Sequence, residues 1–482
     1  MRLLDIIKNC NYSTISGGDC EILGISSDSR QVKTGYLFVA VTGCGNDGRA
    51  HIKSAIEAGA VAVMGEGLDG YDCSEAIKID VPNSRYAVAM AADAFYEHPS
   101  SNLKLVGITG TNGKTTTVTL LYNMFRNLGY ECGLLSTIAN YVGSRKIETT
   151  NTTSDPITAN RLMSEMVDVG CEYCFMEVSS IGVEQDRISG MEFRLALFSN
   201  LTHDHLDYHG SFAEYLRCKK LFFDRLPSGA AAIINIDDRN GRVMTQNCKA
   251  KIISTSCRGL ADHSCRIMEE SFEGMLLKID GTELWTRLIG AHNAYNILAV
   301  YSAAMELGAD KEEALRALSL LEAASGRLEI LHGPRNLNVI IDYAHTPDAL
   351  ENVLETLRAI SSNNMLICLF GCGGDRDRSK RPEMAAVAQK WADRIVVTSD
   401  NSRTEDTEEI MKEICSGLSR EGLAKTIKIA DRKEAIRSTI LFAPQGASIL
   451  LAGKGHETYQ IIGKEKTHFD EREIVNEVFK TI

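Results

Sequence analysis

A chain of 482 residues with 44% hydrophobic and 24% charged side chains has ordinary globular composition but is too long for one core, so about three domains are expected. Its formal net charge of -12 and pI near 5.5, with no dense Lys/Arg cluster, argue against nucleic acid as a partner while leaving room for a single phosphate pocket. No apolar run approaches the roughly 18 to 20 residues of a bilayer span, and the opening "MRLLDIIKNCNYS" lacks a signal-peptide pattern, so no membrane association and a cytoplasmic location are expected.

The predicted elements begin after a polar stretch, "YEHPSSNLK" (96–104), which carries a proline and places a first junction near residue 100. Strand-like segments then alternate with helical ones: "KLVGIT", "EYCFMEV", "LALFSN", "AAIINID", "NVIIDYA", "MLICLFG", "RIVVTSD" and "SILLAGK". Such alternation argues for α/β units on mainly parallel sheets, with ligands bound just beyond the carboxyl ends of the strands. A second junction falls in "ASGRLEILHGPRNLN" (324–338), giving expected domains of 1–99, 100–330 and 331–482. The 14 cysteines have no disulfide-scaffold rhythm, and the lone CxxC, Cys171 to Cys174, runs into an apolar strand, so buried reduced thiols are expected there.

After "KLVGIT" comes "GTNGKTTT" (110–117) and then a helical run. A Gly-rich turn between strand and helix aims unpaired backbone N–H groups and the positive end of the helix dipole at one point, which suits a polyphosphate. Lys114 is placed to reach the β and γ phosphates, and the Thr115 hydroxyl to hold magnesium. The loop alone names a nucleotide and no reaction.

The form "GTNGKTT" resembles the Mur ligase family. Further matches follow in order: "EVSS" (177–180), "NLTHDHLDYHG" (200–210), "CKK" (218–220), "NAYN" (293–296), "GRLE" (326–329), "DYAHTPDAL" (342–350), "GCGGDRDRSKRP" (371–382), "DNSR" (400–403) and "AGKGHE" (452–457). The N-terminal "DSRQVKTGYLFVAVTG" (28–43) resembles the uridine-binding segment of one branch of that family. The likeness covers essentially the whole chain. It implies a three-domain architecture: an N-terminal domain for the UDP sugar, a central P-loop ATPase domain and a C-terminal Rossmann-like domain for an amino acid.

The resemblance implies an ATP-dependent, ADP-forming ligase that activates a carboxylate as an acyl phosphate, on which an amine closes an amide. Its cofactors are Mg2+ and ATP as co-substrate, its partners are small molecules, and a monomer is expected. By the same resemblance the ATP site comprises Gly110, Thr111, Asn112, Gly113, Lys114, Thr115 and Thr116, with Asn293, Asn296, Arg327 and Asp342. Lys114, Glu177, His205 and Lys219 form the catalytic set; Thr115, Glu177, His205 and Lys219, the last as N6-carboxylysine, hold metal. A carbamate replaces a cation with the hard oxygen donor magnesium prefers. Read without the family, Glu177 is equally a helix-cap acid, His205 a loop histidine and Lys219 a solvated lysine on an amphipathic helix.

For the UDP substrate the resemblance points to Ser29, Arg30, Thr152, Thr153, Ser179, Gln185 and Arg187, and for the amino acid to Arg376, Asp400, Asn401, Arg403, Gly453 and Glu457. Cation for carboxylate and anion for a distal ammonium favour meso-diaminopimelate, added to UDP-N-acetylmuramoyl-L-Ala-D-Glu in peptidoglycan precursor synthesis. The alternatives are L-lysine, or a different acceptor such as pseudomurein or a specialised metabolite. Four departures stand out: Ile181 for a usual His, Ser154 for Pro, His292 for an aromatic, and Ser402 for the Pro of "DNPR". Loss of the fixed proline φ is expected to loosen the loop that carries Arg403.

Overall fold

The computed structural model describes residues 1–43, 47–149, 151–202, 206–361 and 364–482, with backbone alone at 206 and 207. The eight segments read as strands are all strands, and each is buried along most of its length because helices cover both faces of the sheets.

Strands between Thr14 and Asp80 form a five-stranded sheet, parallel except for Thr14–Ser16, which runs antiparallel to Ile77–Asp80. The central sheet has eleven strands. Its middle is parallel, with Lys104–Thr109 between Tyr173–Glu177 and Phe193–Phe198. Its two margins are antiparallel, so the sheet is mixed: residues 140–147 on one side and the meander 263–286 on the other. The meander's turns are Phe272–Glu273, followed directly by Gly274, and the pair Asp280–Gly281, the local signal that marks it.

A six-stranded sheet follows, parallel except for Glu329–Gly333, which pairs antiparallel with Leu337–Asp342. This third sheet therefore begins at Glu329, two residues before the expected boundary of 331. A hairpin, Tyr459–Ile462 with Glu465–His468, closes over its carboxyl edge.

Apolar cores lie on both faces of each sheet. The first and central units meet where helix Ser84–Phe95 packs on helix Pro156–Asp168 and Ile157 reaches the N-terminal core. Helix Pro156–Asp168 starts there because Asp155 accepts from the Thr158 N–H and Pro156 occupies the first turn.

Candidate active site

Parallel strands end on one side, so residues just past their carboxyl ends gather there. Glu177 pairs with Ile108 and Phe198 with Thr109, so the phosphate loop has the ends of both neighbouring strands beside it. The loop is braced from one of them: the Asn112 N–H donates to Asn200 Oδ1 at 2.9 Å, the Thr111 N–H to the Asn200 carbonyl at 2.8 Å, and Ser199 Oγ to the Asn112 carbonyl at 2.6 Å. Helix Lys114–Asn127 starts directly after Gly113, whose φ of +87° suits glycine and where a Cβ would lie 2.5 Å from Asn296 Oδ1.

Lys114 folds onto its own loop, with Nζ donating to the Gly110 and Thr111 carbonyls at 2.9 Å. Lys219 joins it. This lysine is 1% exposed, and its Nζ donates to the same Gly110 carbonyl at 2.8 Å above the Tyr215 ring. The solvated-surface reading of Lys219 is thereby corrected: helix Phe212–Asp224 turns Tyr215 and Lys219, four residues apart, inward as one face, and the Tyr215 hydroxyl lies 3.0 Å from Thr111 Oγ1.

Glu177 is fully buried at its strand's end. Its Oε1 accepts the Thr137 N–H at 2.8 Å, whereas Oε2 is buried without a hydrogen-bond partner. An orphaned carboxylate oxygen is costly, by about 1–3 kcal/mol or more for a charged group, unless a cation meets it. A metal beside the phosphate loop fits that atom and the buried Thr115 hydroxyl. His205 lies outside the described residues.

Thr152, Thr153, Ser179, Gln185 and Arg187 come together next to Glu177. Thr137 Oγ1 donates to Thr152 Oγ1 at 3.2 Å, and Thr153 Oγ1 donates to the Glu177 carbonyl at 2.9 Å and accepts the Ser179 N–H at 2.9 Å. Arg187 donates to the Thr153 carbonyl at 2.7 Å and to Gln185 Oε1 at 2.8 Å, and burial pulls its pKa below the ordinary arginine range. Ser29 and Arg30 lie in the N-terminal unit, joined to this group by no hydrogen bond among the described residues. Arg30 is 87% exposed and forks onto Asp28, holding that carboxyl down at about 2. At position 181, where the family usually has His, Ile181 sits beside Ser180, whose Oγ is 2.9 Å from His209 Nε2.

Asn293 and Asn296 lie buried on helix Ala291–Glu306 behind the loop: Thr117 Oγ1 donates to Asn296 Oδ1 at 3.3 Å, and Asn296 Nδ2 to Asn293 Oδ1 at 3.0 Å. Asp342 ends its strand fully desolvated, which raises its pKa, and accepts the Leu328 and Ala344 N–H groups at 2.7 Å. Arg327 lies 4.8 Å from the Tyr343 ring centroid with its Nε buried and unpartnered. The "GRLE" turn presses on "GKGHE": φ at Gly326 is +68°, and a Cβ there would lie 2.1 Å from the His456 nitrogen.

In the third sheet, Asp342, Ala452, Phe370 and Val397 stand at one level. The segments following three of these strands carry the expected amino-acid residues. Arg376 and Arg403 flank Gly373, Gly453 abuts Asp400, and Asn401 Nδ2 donates to Glu457 Oε2 at 2.9 Å. Arg403 has φ +49°; its N–H donates to the Ile461 carbonyl at 3.3 Å and its carbonyl accepts from the Gly463 N–H at 2.8 Å. Ser402, where loosening was expected, has a tether of its own. Ser402 is buried, with Oγ 2.6 Å from Thr407 Oγ1, so a hydrogen bond tethers the loop where the proline ring is missing.

Three residues at these edges were not singled out from the sequence. Thr137 supplies the N–H to Glu177, Lys454 lies at the centre of the Asp400–Glu457 cluster, and Asp348 touches the phosphate loop from the third unit. The last two stood inside quoted motifs; nothing in the letters gave the distances.

Comparison with known proteins agrees along the whole length. The "Mur ligase family, catalytic domain" matches residues 21–96, the "Mur ligase middle domain" 108–304 and the "Mur ligase, glutamate ligase domain" 326–455. A UDP-N-acetylmuramoyl-L-alanyl-D-glutamate--2,6-diaminopimelate ligase from Bacteroides fragilis is 48% identical over 481 residues, 99% of each chain. A solved structure of a ligase of the same name is 31% identical and superposes with a TM-score of 0.69 over 95% of both chains. The fold is also shared, at 18% identity and TM-score 0.64 over 95% of this chain and 97% of the other, with MurF ligase from Thermotoga maritima in complex with ADP. The chain belongs to the Mur ligase family and is an ATP-dependent ligase.

Proposed function

We propose that this ligase adds meso-diaminopimelate to UDP-N-acetylmuramoyl-L-alanyl-D-glutamate, forming ADP and phosphate, in the cytoplasmic synthesis of peptidoglycan precursor. The observation that carries the substrate assignment is the C-terminal loop cluster, where Arg376 and Arg403 flank Gly373 and Asn401, next to Asp400, donates to Glu457. Guanidinium groups suit a far carboxylate, and the acids suit the ammonium next to it; lysine has no such carboxylate. The B. fragilis relative bears the name of this activity.

A carboxylate oxygen of the dipeptide attacks the γ phosphorus of ATP and ADP leaves; the amine then attacks the acyl carbon, loses a proton, and phosphate leaves. Little covalent work falls to the protein, whose task is to gather cations around anionic oxygens and orient the reactants. Lys114 and the loop N–H groups receive the phosphates once Lys114 lets go of Gly110 and Thr111. Thr152, Thr153, Ser179, Gln185 and Arg187 hold the acceptor, and Ser29 with Arg30 the nucleotide sugar. Asn293, Asn296, Arg327 and Asp342 border the nucleotide.

Thr115, Glu177, His205 and a carboxylated Lys219 would hold magnesium, which supplies charge neutralisation at the transferred phosphoryl group. The orphaned Glu177 Oε2 and the burial of Lys219 beside the loop support that set. Residues 1–99, 100–330 and 331–482 serve as sugar, ATP and amino-acid units, in a monomer.

Phosphate release with ATP, Mg2+, the UDP-muramoyl dipeptide and a panel of amino acids tests the reading. Release should need both dipeptide and amino acid, and meso-diaminopimelate should exceed L-lysine at least about tenfold in kcat/KM, or about 1.4 kcal/mol. Release with lysine and none with diaminopimelate overturns it.

A further inference from the structure

We propose that Lys454 is a positioning and specificity-determining residue of the amino-acid pocket. This inference rests on the diaminopimelate reading above.

Lys454 follows strand Ser448–Ala452 and is 0% exposed. A lysine is seldom fully buried unless its charge is met. Here Nζ donates to Glu457 Oε2 at 3.1 Å, Asn401 Oδ1 at 3.2 Å and Asp400 Oδ1 at 3.4 Å, and the Tyr459 and Phe469 ring centroids lie 5.8 and 5.7 Å away. The three oxygens come from two segments, the one after Arg394–Val397 and the one after Ser448–Ala452. Asn401 Oδ1 also accepts the Ile461 N–H at 2.9 Å, tying in the hairpin that holds the Arg403 backbone.

Two consequences follow. Glu457 Oε2 is committed to Lys454 and Asn401, whereas Oε1 accepts no hydrogen bond among the described residues and is the oxygen left for an incoming ammonium. Charge is set as well. Asp400 and Glu457 bring two negative charges and Lys454 cancels one, leaving a single net anion in the loop cluster that also carries Arg376 and Arg403. That balance suits a distal centre carrying one ammonium and one carboxylate. Without Lys454, two uncompensated carboxylates would favour a purely cationic side chain such as lysine's.

Behind the pocket, the buried Arg432 donates to the Ser399 and Ala452 carbonyls at 3.1 and 2.8 Å and to Glu471 Oε1 at 2.8 Å, so both segments hang from a fixed base. Lys454 sets side chains within that frame.

The test compares wild type, Lys454→Met and Lys454→Gln, the latter keeping a donor without the charge, by kcat and KM for meso-diaminopimelate, L-lysine and ATP, with thermal melting alongside. We expect KM for meso-diaminopimelate to rise at least fivefold in Lys454→Gln and more in Lys454→Met. KM for ATP should stay within twofold, and the ratio of kcat/KM for diaminopimelate over lysine should fall at least fivefold. Folded variants with unchanged KM and ratio overturn the proposal, as does loss of fold in both variants, which would make Lys454 a structural residue only. Absence of diaminopimelate-dependent turnover in the wild type instead overturns the substrate reading beneath it.

Discussion

Lys114 and Lys219 donate to one acceptor, the carbonyl of Gly110, at 2.9 and 2.8 Å. Two ammonium groups held within a few ångströms repel by roughly 1–4 kcal/mol, depending on how well the surroundings screen them. Carboxylation of Lys219 would turn that repulsion into attraction and free the Gly110 carbonyl of one donor. Lys219→Gln, shorter by one bond but still a polar donor and unable to be carboxylated, should therefore melt close to wild type yet lose at least about a hundredfold in kcat. Activity of the native enzyme should also fall when bicarbonate is stripped from the assay and return when it is restored. Full turnover by Lys219→Gln would remove the carbamate from the site.

Glu177 makes a sharper separation of stability from activity. Its Oε1 is satisfied by the Thr137 N–H while Oε2 is buried and orphaned. A neutral amide can keep the first bond through its oxygen and relieves the buried charge. Glu177→Gln should thus be as stable as wild type or more so in urea, whereas turnover drops at least about a hundredfold and the Mg2+ concentration for half-maximal rate rises. A destabilised variant with a normal magnesium requirement would assign Glu177 to structure alone.

The units meet directly at the phosphate loop. Asp348, in the first turn of helix Pro347–Ser361, accepts from Asn112 Nδ2 at 2.9 Å and from Thr202 Oγ1 at 3.1 Å. Hydrogen bonds to a charged group contribute about 1.5–3 kcal/mol, and these hold the C-terminal unit against the phosphate loop. Asp348→Ala should cut kcat/KM for the amino acid about tenfold or more while ADP affinity, measured by calorimetry, changes little. An unchanged kcat/KM would mean that the contact has no part in bringing the substrates together.

Contiguous features were legible in the sequence and dispersed ones were not. The phosphate loop is a single stretch between strand and helix, so its letters suffice, and the eight apolar segments gave the parallel strands because strands buried on both faces are apolar throughout. The place of Lys219 was legible only through the family, since its helical setting reads as solvated. Lys454 and Asp348 escaped because their meaning lies in distances between loops far apart in the chain. Ser402 is a related case: its hydrogen-bond partner where the proline is missing, Thr407, is visible as a partner only in three dimensions.

His456 gives the site a pH signature. Burial pushes its imidazole down to about 4, with the nearby Arg327 charge adding to the effect, and Nδ1 is buried without a partner. A depressed folded-state value means the unfolded chain binds the proton more readily. Its contribution is therefore full above the ordinary value near 6.5 and is lost as pH falls toward 4. His292, also held near 4 by burial, acts with the same sign, and Asp342, raised by burial, with the opposite one. Urea midpoints from pH 7 to pH 4.5 should fall less steeply for His456→Gln than for wild type. Parallel curves would show that His456 titrates normally.

Arg403 tests substrate choice. Its backbone is pinned to the hairpin, and its Nη1 donates to the Gly374 carbonyl at 2.8 Å, which aims the guanidinium along the glycine loop beside Arg376. With the Ser402–Thr407 bond holding the turn, removing the guanidinium should leave the loop in place. Arg403→Ala should therefore raise KM for meso-diaminopimelate at least about tenfold, near the 1.4 kcal/mol that one charge-assisted hydrogen bond readily supplies, with KM for ATP and for L-lysine nearly unchanged. Ser402→Ala should cost about 1 kcal/mol of stability without altering that selectivity. If Arg403→Ala weakened lysine and diaminopimelate equally, the arginine would be gripping something common to both amino acids, and the far carboxylate would have to be recognised by Arg376 instead.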